Sequence, residues 1–253
     1  MAVAFSTEDG LGVITLDKPP ANSYDIEFMR ELESAVRAAG ESEPRVVVVR
    51  SASEKFFSAG ADVKRFVAND VEANMEMVRL AHEALRSIAR SPKLFVAWIA
   101  GHALGGGLEI ALACDVRYAA EGGFRLGTPE VTLGLLPGNG GTQRLPRLIG
   151  TGPALELLLT GRQITPEEAH RVGLVSQVFE SEDRFREHVA KLATLPPLAL
   201  GEIKRAVYEG VSKPLGAGLE LERELIEKLF RSKDAEEGLN AFVEKRTPDF
   251  VGA

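Results

Sequence analysis

Ala103-Leu104-Gly105-Gly106-Gly107-Leu108-Glu109 opens an apolar run, and 21 residues after Glu109 a second acid, Glu130, follows in Gly127-Thr128-Pro129-Glu130. Three glycines at the mouth of an apolar helix let the backbone approach a ligand closely and aim free N–H groups at a developing negative charge. A carboxylate stands two residues beyond the last glycine, and a second can converge on it from the next loop. Two carboxyls beside an anion-stabilising backbone suit chemistry that moves a proton next to a carbonyl. The stretch therefore points to an enzyme.

Outward from that stretch, strand-like and helix-like segments alternate. Leu11–Leu16 reads as a strand. Asp25–Ala39 reads as a helix with Phe28, Leu32 and Val36 on one face. Arg45–Arg50 carries four consecutive valines, the pattern of a strand buried on both faces. A loop is expected over Ser51–Phe66, then a helix near Val71–Ala89 and a strand at Leu94–Ala100. The helix opened by the glycines covers Leu108–Cys114, and Val116–Ala119 returns as a strand. Thr165-Pro166-Glu167-Glu168 joins an N-cap, a proline at N1 and a glutamate at N3, so a helix starts there. This order predicts an α/β fold with a mainly parallel sheet and helical crossovers.

From about Pro196 the pattern changes to helical periods alone, at Leu198–Tyr208, Leu219–Arg231 and Ala235–Lys245. The chain thus divides into a core over residues 1–195 and a helical region over 196–253. In the second of these helices Leu221, Leu225 and Leu229 form a stripe with Ile226 and Phe230 beside it. Such a stripe must be buried on the chain's own core or on a neighbouring subunit, and we expect a neighbour to take part of it.

Composition narrows the class. The 253 residues are 45% hydrophobic and 26% charged, as in an ordinary globular protein. A net charge of −7 argues against a general grip on nucleic acid. The single cysteine, Cys114, allows no intrachain disulfide and no cysteine-based metal cluster, and its apolar setting suits a buried thiol. No spacing of His, Asp and Glu suggests a metal. No apolar run approaches the roughly 18 residues that span a bilayer, and MAVAFSTEDG lacks the features of a signal peptide. We expect no membrane association and a cytoplasmic location.

A second small-residue segment, Phe56-Phe57-Ser58-Ala59-Gly60-Ala61-Asp62-Val63-Lys64, follows the valine strand. The N–H of Ala61 is a candidate anion donor, and Gly106 is a candidate for the second. In order along the chain stand Ala59-Gly60-Ala61-Asp62, Ala103 to Glu109, Cys114-Asp115, Pro129-Glu130 and Leu133-Gly134-Leu135-Leu136-Pro137-Gly138-Asn139-Gly140-Gly141-Thr142-Gln143-Arg144-Leu145. Leu159-Thr160-Gly161, Ala169–Val175 and an ending with Ala241-Phe242, Glu244-Lys245-Arg246 and Pro248 complete the set. The series resembles the enoyl-CoA hydratase/isomerase (crotonase) family over nearly the whole chain.

That resemblance implies a spiral of ββα units with a C-terminal helical trimerisation region, assembled as a trimer or a hexamer made of two trimers. It implies Ala61 and Gly106 as the two backbone donors of an oxyanion hole. It also implies Glu109 and Glu130 as the two carboxylates of the hydratases. Ala59, Gly60, Asp62, Val63 and Lys64, with Gly105 and Gly138, match the surroundings of the acyl-CoA, and Lys64 is the candidate cation for CoA phosphate. No separate cofactor is implied, because coenzyme A belongs to the substrate. The implied reaction is hydration of a 2-trans-enoyl-CoA to a 3-hydroxyacyl-CoA, with water activation and proton delivery assigned to the two glutamates jointly. Fatty-acid, amino-acid and aromatic degradation all use this constellation.

Several readings compete. A Δ3,Δ2-enoyl-CoA isomerase can work with one carboxylate, and the presence of two favours the hydratase over it and over other acyl-CoA lyases on the scaffold. An acyl-CoA-binding protein without chemistry would be expected to lose a carboxylate. RNA binding should leave a basic helix, whereas Asp25–Ala39 sets four acids against Arg30 and Arg37. Ser58 lacks the Gly-x-Ser-x-Gly elbow of a hydrolase. His102 reads as a packed histidine, and Asp62 and Asp115 as residues tying loops to backbone amides. Val67, Met75, Met77 and Leu80 are available to line an acyl pocket. The segment Lys18-Pro19-Pro20-Ala21-Asn22-Ser23-Tyr24-Asp25 departs from the family's commoner Asn-Ala-Leu pattern. It is expected to shape the pocket, and it leaves the assignment of the two carboxylates unchanged.

Overall fold

A computed structural model describes residues 1–253. Strands β1 (Val3–Glu8) and β2 (Leu11–Leu16) form a hairpin, turned by Asp9 and Gly10, both at positive φ. Helix α1 (Ile26–Glu41) follows, capped by Asp25, whose carboxylate accepts from the Phe28 N–H at 3.1 Å. Its buried face holds Phe28, Leu32 and Val36 at the expected spacing, with Met29, Ala35 and Ala39 beside them. Complete burial of a Phe or Leu side chain stabilises by about 1.5–3 kcal/mol, so this stripe fixes which way α1 faces. The valine run forms β3 (Val46–Ser51), with all four valines buried.

Residues 51–66 are not one loop. They contain β4 (Phe56–Ser58) and the start of α2 (Val63–Ala68), which Asp62 caps by accepting from the Lys64 N–H. Three-residue strands carry too few alternations to show a period, which is why β4 was illegible. The long helix α3 (Val71–Arg90) leads to β5 (Leu94–Ile99), then to the short β6 (His102–Leu104) and α4 (Gly106–Ala113). Next come β7 (Val116–Ala120), β8 (Leu126–Gly127) and a 3₁₀ turn at Pro129–Leu133. Helices α5 (Gly141–Ile149), α6 (Thr151–Thr160) and α7 (Pro166–Arg171) precede the last strand, β9 (Gln177–Phe179).

The main sheet runs β1-β2-β3-β5-β7-β9, and every pairing after the first hairpin is parallel. A second, smaller parallel sheet runs β4-β6-β8. It joins the loop ends that follow β3, β5 and β7, so the Ala59–Ala61 segment, the glycines and Glu130 all leave neighbouring strands of one small sheet.

Four helices close the chain: α8 (Glu182–Ala193), α9 (Pro197–Gly210), α10 (Leu215–Phe230) and α11 (Lys233–Glu244). Helix α9 docks on the core through the buried pair Lys204–Asp115, whose Nζ and Oδ2 are 2.9 Å apart. On α10, Leu221 and Leu225 are buried, while Ile226 and Phe230 remain exposed. No helix is long and apolar enough to cross a membrane.

Candidate active site

The Ala59–Ala61 loop is shaped by Gly60, at φ +89°. A Cβ there would stand 2.8 Å from the Leu104 carbonyl oxygen and 3.1 Å from the Gly106 nitrogen. Only glycine lets residues 59–61 lie flat against the end of β6 and the start of α4. Ala61 forms a parallel bridge with Tyr24: the Tyr24 N–H donates to Gly60 O and the Asp62 N–H donates to Tyr24 O, both at 2.9 Å. Those two bonds flank Ala61 and direct its own N–H away from the Tyr24 backbone.

The glycine segment begins at Gly105, the N-cap of α4 at φ +54°, whose N–H donates to Gly127 O at 2.8 Å. The first N–H groups of α4, from Gly106 onward, have no partner inside the helix. A Cβ on Gly106 would stand 2.1 Å from Tyr24 Oη, and one on Gly107 would stand 2.2 Å from Ser58 O. The three glycines are thus spent on three different neighbours: Glu130, Tyr24 and the β4 loop.

Glu109 lies one turn into α4 and is 1% exposed. Its Oε1 accepts from the N–H groups of Asn139, at 2.8 Å, and Gly141, at 2.6 Å. Burial raises its pKa; the two N–H donors and the Arg144 guanidinium oppose that rise by favouring the charged form. Glu130 stands on the 3₁₀ turn, with Oε1 2.7 Å from the point where a Gly105 Cβ would be. Its Oε2 is buried and accepts from no protein group. Burial, with a smaller contribution from the Glu109 charge, pushes the Glu130 carboxyl up to about 7.

These groups line one cavity of about 540 Å³. Ala59, Gly60, Ala61, Val63, Gly105, Gly106 and Gly138 share its wall with both glutamates, so the expected residues from three separate loops meet. Asp62 and Lys64 are outside that wall: Asp62 caps α2, and Lys64 is exposed on the same helix. Val67, Met75 and Met77 line the apolar part together with Leu135 and Leu136, whereas Leu80 packs against the core.

The other polar residues singled out by sequence have structural partners. Ser58 Oγ donates to Asn22 O, Asp115 accepts from the Phe95 N–H, and His102 Nδ1 accepts from the Arg125 N–H. Burial pushes the Cys114 thiol up to about 12, which keeps it protonated and inert. No group of three or more His, Cys, Asp or Glu side chains is gathered as a metal site would need.

Two residues of the cavity wall were not singled out individually as polar groups of the site. Tyr24 and Asn139 are both buried, and Asn139 Nδ2 donates to Tyr24 Oη at 2.5 Å. The Lys18–Asp25 segment therefore reaches the surroundings of Glu109 through Asn139, whose backbone N–H donates to that carboxylate. Its departure from the commoner pattern was the available signal, but the partner lies 115 residues away in sequence.

A close-approach glycine loop and a helix start with free N–H groups thus share one cavity with a buried carboxyl, Glu109, and a half-buried one, Glu130. Residues 6–253 match the family model described as enoyl-CoA hydratase/isomerase. An Escherichia coli relative named 2,3-dehydroadipyl-CoA hydratase is 38% identical, covering 95% of this chain and 94% of its own. A solved enoyl-CoA hydratase from Geobacillus kaustophilus superposes with a TM-score of 0.96 at 43% identity, covering 100% of this chain and 97% of the other. One from Bacillus anthracis superposes at 0.95 with 38% identity, covering both chains completely. The chain belongs to the enoyl-CoA hydratase/isomerase family and has the crotonase fold.

Proposed function

We propose that this enzyme adds water across the double bond of 2-trans-enoyl-CoA thioesters to give 3-hydroxyacyl-CoA. The observation that carries the reading is the pair Glu109 and Glu130. They are two carboxyls of different environment on one cavity, beside a glycine-opened helix start.

In the proposed reaction the thioester oxygen lies on the N–H groups of Ala61 and Gly106. A water held between the glutamates gives a proton to Glu109 as its oxygen bonds to the β-carbon. The electrons of the double bond move toward the thioester and form an enolate, whose charge rests on the two donors. One such donor is typically worth about 2.7–4 kcal/mol of barrier. Collapse of the enolate then takes a proton from Glu130 onto the α-carbon. The division of labour is supported by the environments: the charged form of Glu109 is met by two N–H groups, and Glu130 holds its proton up to about pH 7. Transfer of the proton from Glu109 to Glu130, through the next water, restores the resting state.

The apolar wall made by Val67, Met75 and Met77 supports an aliphatic acyl chain. Exposed apolar residues on the last helices, among them Ile226, Phe230 and Phe242, support a homo-trimer or a hexamer of two trimers. Lys64 remains our candidate for CoA phosphate.

The test is loss of the conjugated enoyl-thioester absorbance of crotonyl-CoA, with Glu109→Gln and Glu130→Gln alongside. Rapid loss in the parent and collapse in both variants is the expected result. Near-parental turnover in both variants would sink the two-carboxylate mechanism. A parent that converts 3-enoyl-CoA to the conjugated isomer without hydrating it would be an isomerase instead.

A further inference from the structure

Tyr24 connects the Ala59–Ala61 loop with the glycine segment. Its backbone holds the Gly60–Asp62 segment on either side of Ala61, and its hydroxyl packs against the α-carbon of Gly106. The same hydroxyl accepts the Asn139 side-chain amide at 2.5 Å, and the Asn139 backbone N–H donates to Glu109 at 2.8 Å. Asn139 also accepts at its carbonyl from Arg144 Nη1 at 2.8 Å, and the neighbouring Gly138 carbonyl accepts from His82 Nε2 at 2.7 Å. The turn that supplies both N–H donors to Glu109 is therefore tied at three points. Only the Tyr24 tie leads back to the Ala59–Ala61 loop and the glycine segment.

We propose that Tyr24 and Asn139 act as one positioning pair, holding the Gly138–Gly141 turn on Glu109 in register with the Ala61 and Gly106 donors. The proposal rests on the hydration reading for its kinetic consequence but not for its structural one.

The physical argument is one of coupled geometry. The ring of Tyr24 packs 6.4 Å from that of Phe28, measured between centroids, and would do so equally as phenylalanine. The hydroxyl contributes the contact that packing does not require, an acceptor for a buried amide. Burial and the nearby carboxylates push the phenol's pKa far up, so it stays a neutral hydroxyl throughout the working range. Without that acceptor the Asn139 amide is left buried and unpaired, and the turn relaxes to find a partner. Any such movement lengthens the two bonds to Glu109 Oε1.

The groups facing Glu109 are those N–H donors, Arg144 from α5, Tyr24 from the segment before α1, and Glu130 from the 3₁₀ turn. Loosening the donors leaves burial less opposed, so the Glu109 titration must move upward. A residue that only filled space would leave it in place.

The experiment uses full-length protein labelled with ¹³C at the glutamate carboxyls. The Glu109 resonance is assigned by its loss in Glu109→Gln, and its titration is followed in the parent, Tyr24→Phe, Asn139→Ala and the double variant. We expect an upward midpoint shift in each single variant and no larger shift in the double, because both changes cut one connection. With crotonyl-CoA, kcat should fall about tenfold with KM changed less, as expected for a small misplacement of a reacting group. An unmoved midpoint in Tyr24→Phe, or shifts that add in the double variant, would overturn the proposal. Should Asn139→Ala not fold, Asn139→Ser takes its place in the cycle, and Tyr24→Phe alone still decides. The titration needs no turnover, so a parent inactive on crotonyl-CoA would point to an isomerase or to a branched or aromatic substrate and would leave this proposal to be decided by the titration.

Discussion

Gly141 serves Glu109 twice: its N–H donates to Oε1 at 2.6 Å, and the place a Cβ would occupy lies 3.0 Å from the same oxygen. The residue is both a donor and a gap. Gly141→Ala should therefore keep the backbone donor and still push the carboxylate aside, since the Pro137 ring, 2.8 Å from that Cβ, blocks the alternative. We expect kcat for crotonyl-CoA hydration to fall about 10- to 100-fold by the cost of displacing a reacting group, and the melting temperature to fall as well, because the added methyl crowds the Pro137 ring. Steady-state kinetics and thermal melts check both halves.

Glu130 links the site to stability. Its carboxyl is raised from an ordinary 4.5 to about 7 in the folded state. Between those values the native protein binds a proton that the unfolded chain has lost, so this group's contribution falls as pH rises through the window. The melting temperature of the parent minus that of Glu130→Gln should decline from pH 4.5 to pH 7 and then level off. A difference independent of pH would show that the carboxyl is not raised.

The Lys204–Asp115 pair should be a stability determinant remote from the chemistry. Both side chains are buried; Lys204 also donates to the carbonyls of Ile88 and Lys93 at 3.0 Å, and Asp115 accepts from the Phe95 N–H at 2.7 Å. Lys204→Met leaves a buried carboxylate without its cation, a change that typically costs about 3–5 kcal/mol. Burial already pushes the Asp115 pKa up, so protonation relieves the unpaired charge. The loss measured by urea denaturation should be smaller at pH 4.5 than at pH 7.5.

Assembly is tested on α10. Ile226 and Phe230 are 44% and 68% exposed beside a buried leucine pair, an unusual cost for a lone chain in water. Ile226→Asp with Phe230→Asp should convert the trimer or hexamer we propose into smaller species by light scattering. An unchanged mass would remove this face from the interface.

Much of the fold was legible because long elements repeat their pattern often enough to be read. The valine strand, the Phe28–Leu32–Val36 stripe and the Thr165 cap all stand where their residues put them, within one or two positions at the ends. Strand β1 and the three short strands of the second sheet were not legible. Val3–Glu8 is buried on one face only at Val3, and strands of two or three residues have no period to detect. Those short strands set the site, because they hold its three loops side by side.

Within the site the division is similar. The glycines and Glu109 share one local stretch, so their relation is a matter of helix geometry and could be read directly. The convergence of Glu130 and Ala61 on them was implied by family resemblance, and their common cavity became visible only in three dimensions. Asn139 was one letter in a glycine-rich motif, and Tyr24 was part of an odd segment.

By itself the sequence determined the types of the long elements, their apolar faces and the chemical vocabulary of the site, because periodicity, capping and glycine content act over a few residues. Only the tertiary structure decided which atoms meet. It put the Glu109 carboxylate on the N–H groups of Asn139 and Gly141, left a Glu130 oxygen buried without a partner, and brought Tyr24 to Asn139 across 115 residues. Burial and hydrogen bonding between distant segments set proton affinities, and neither is a local property of the chain.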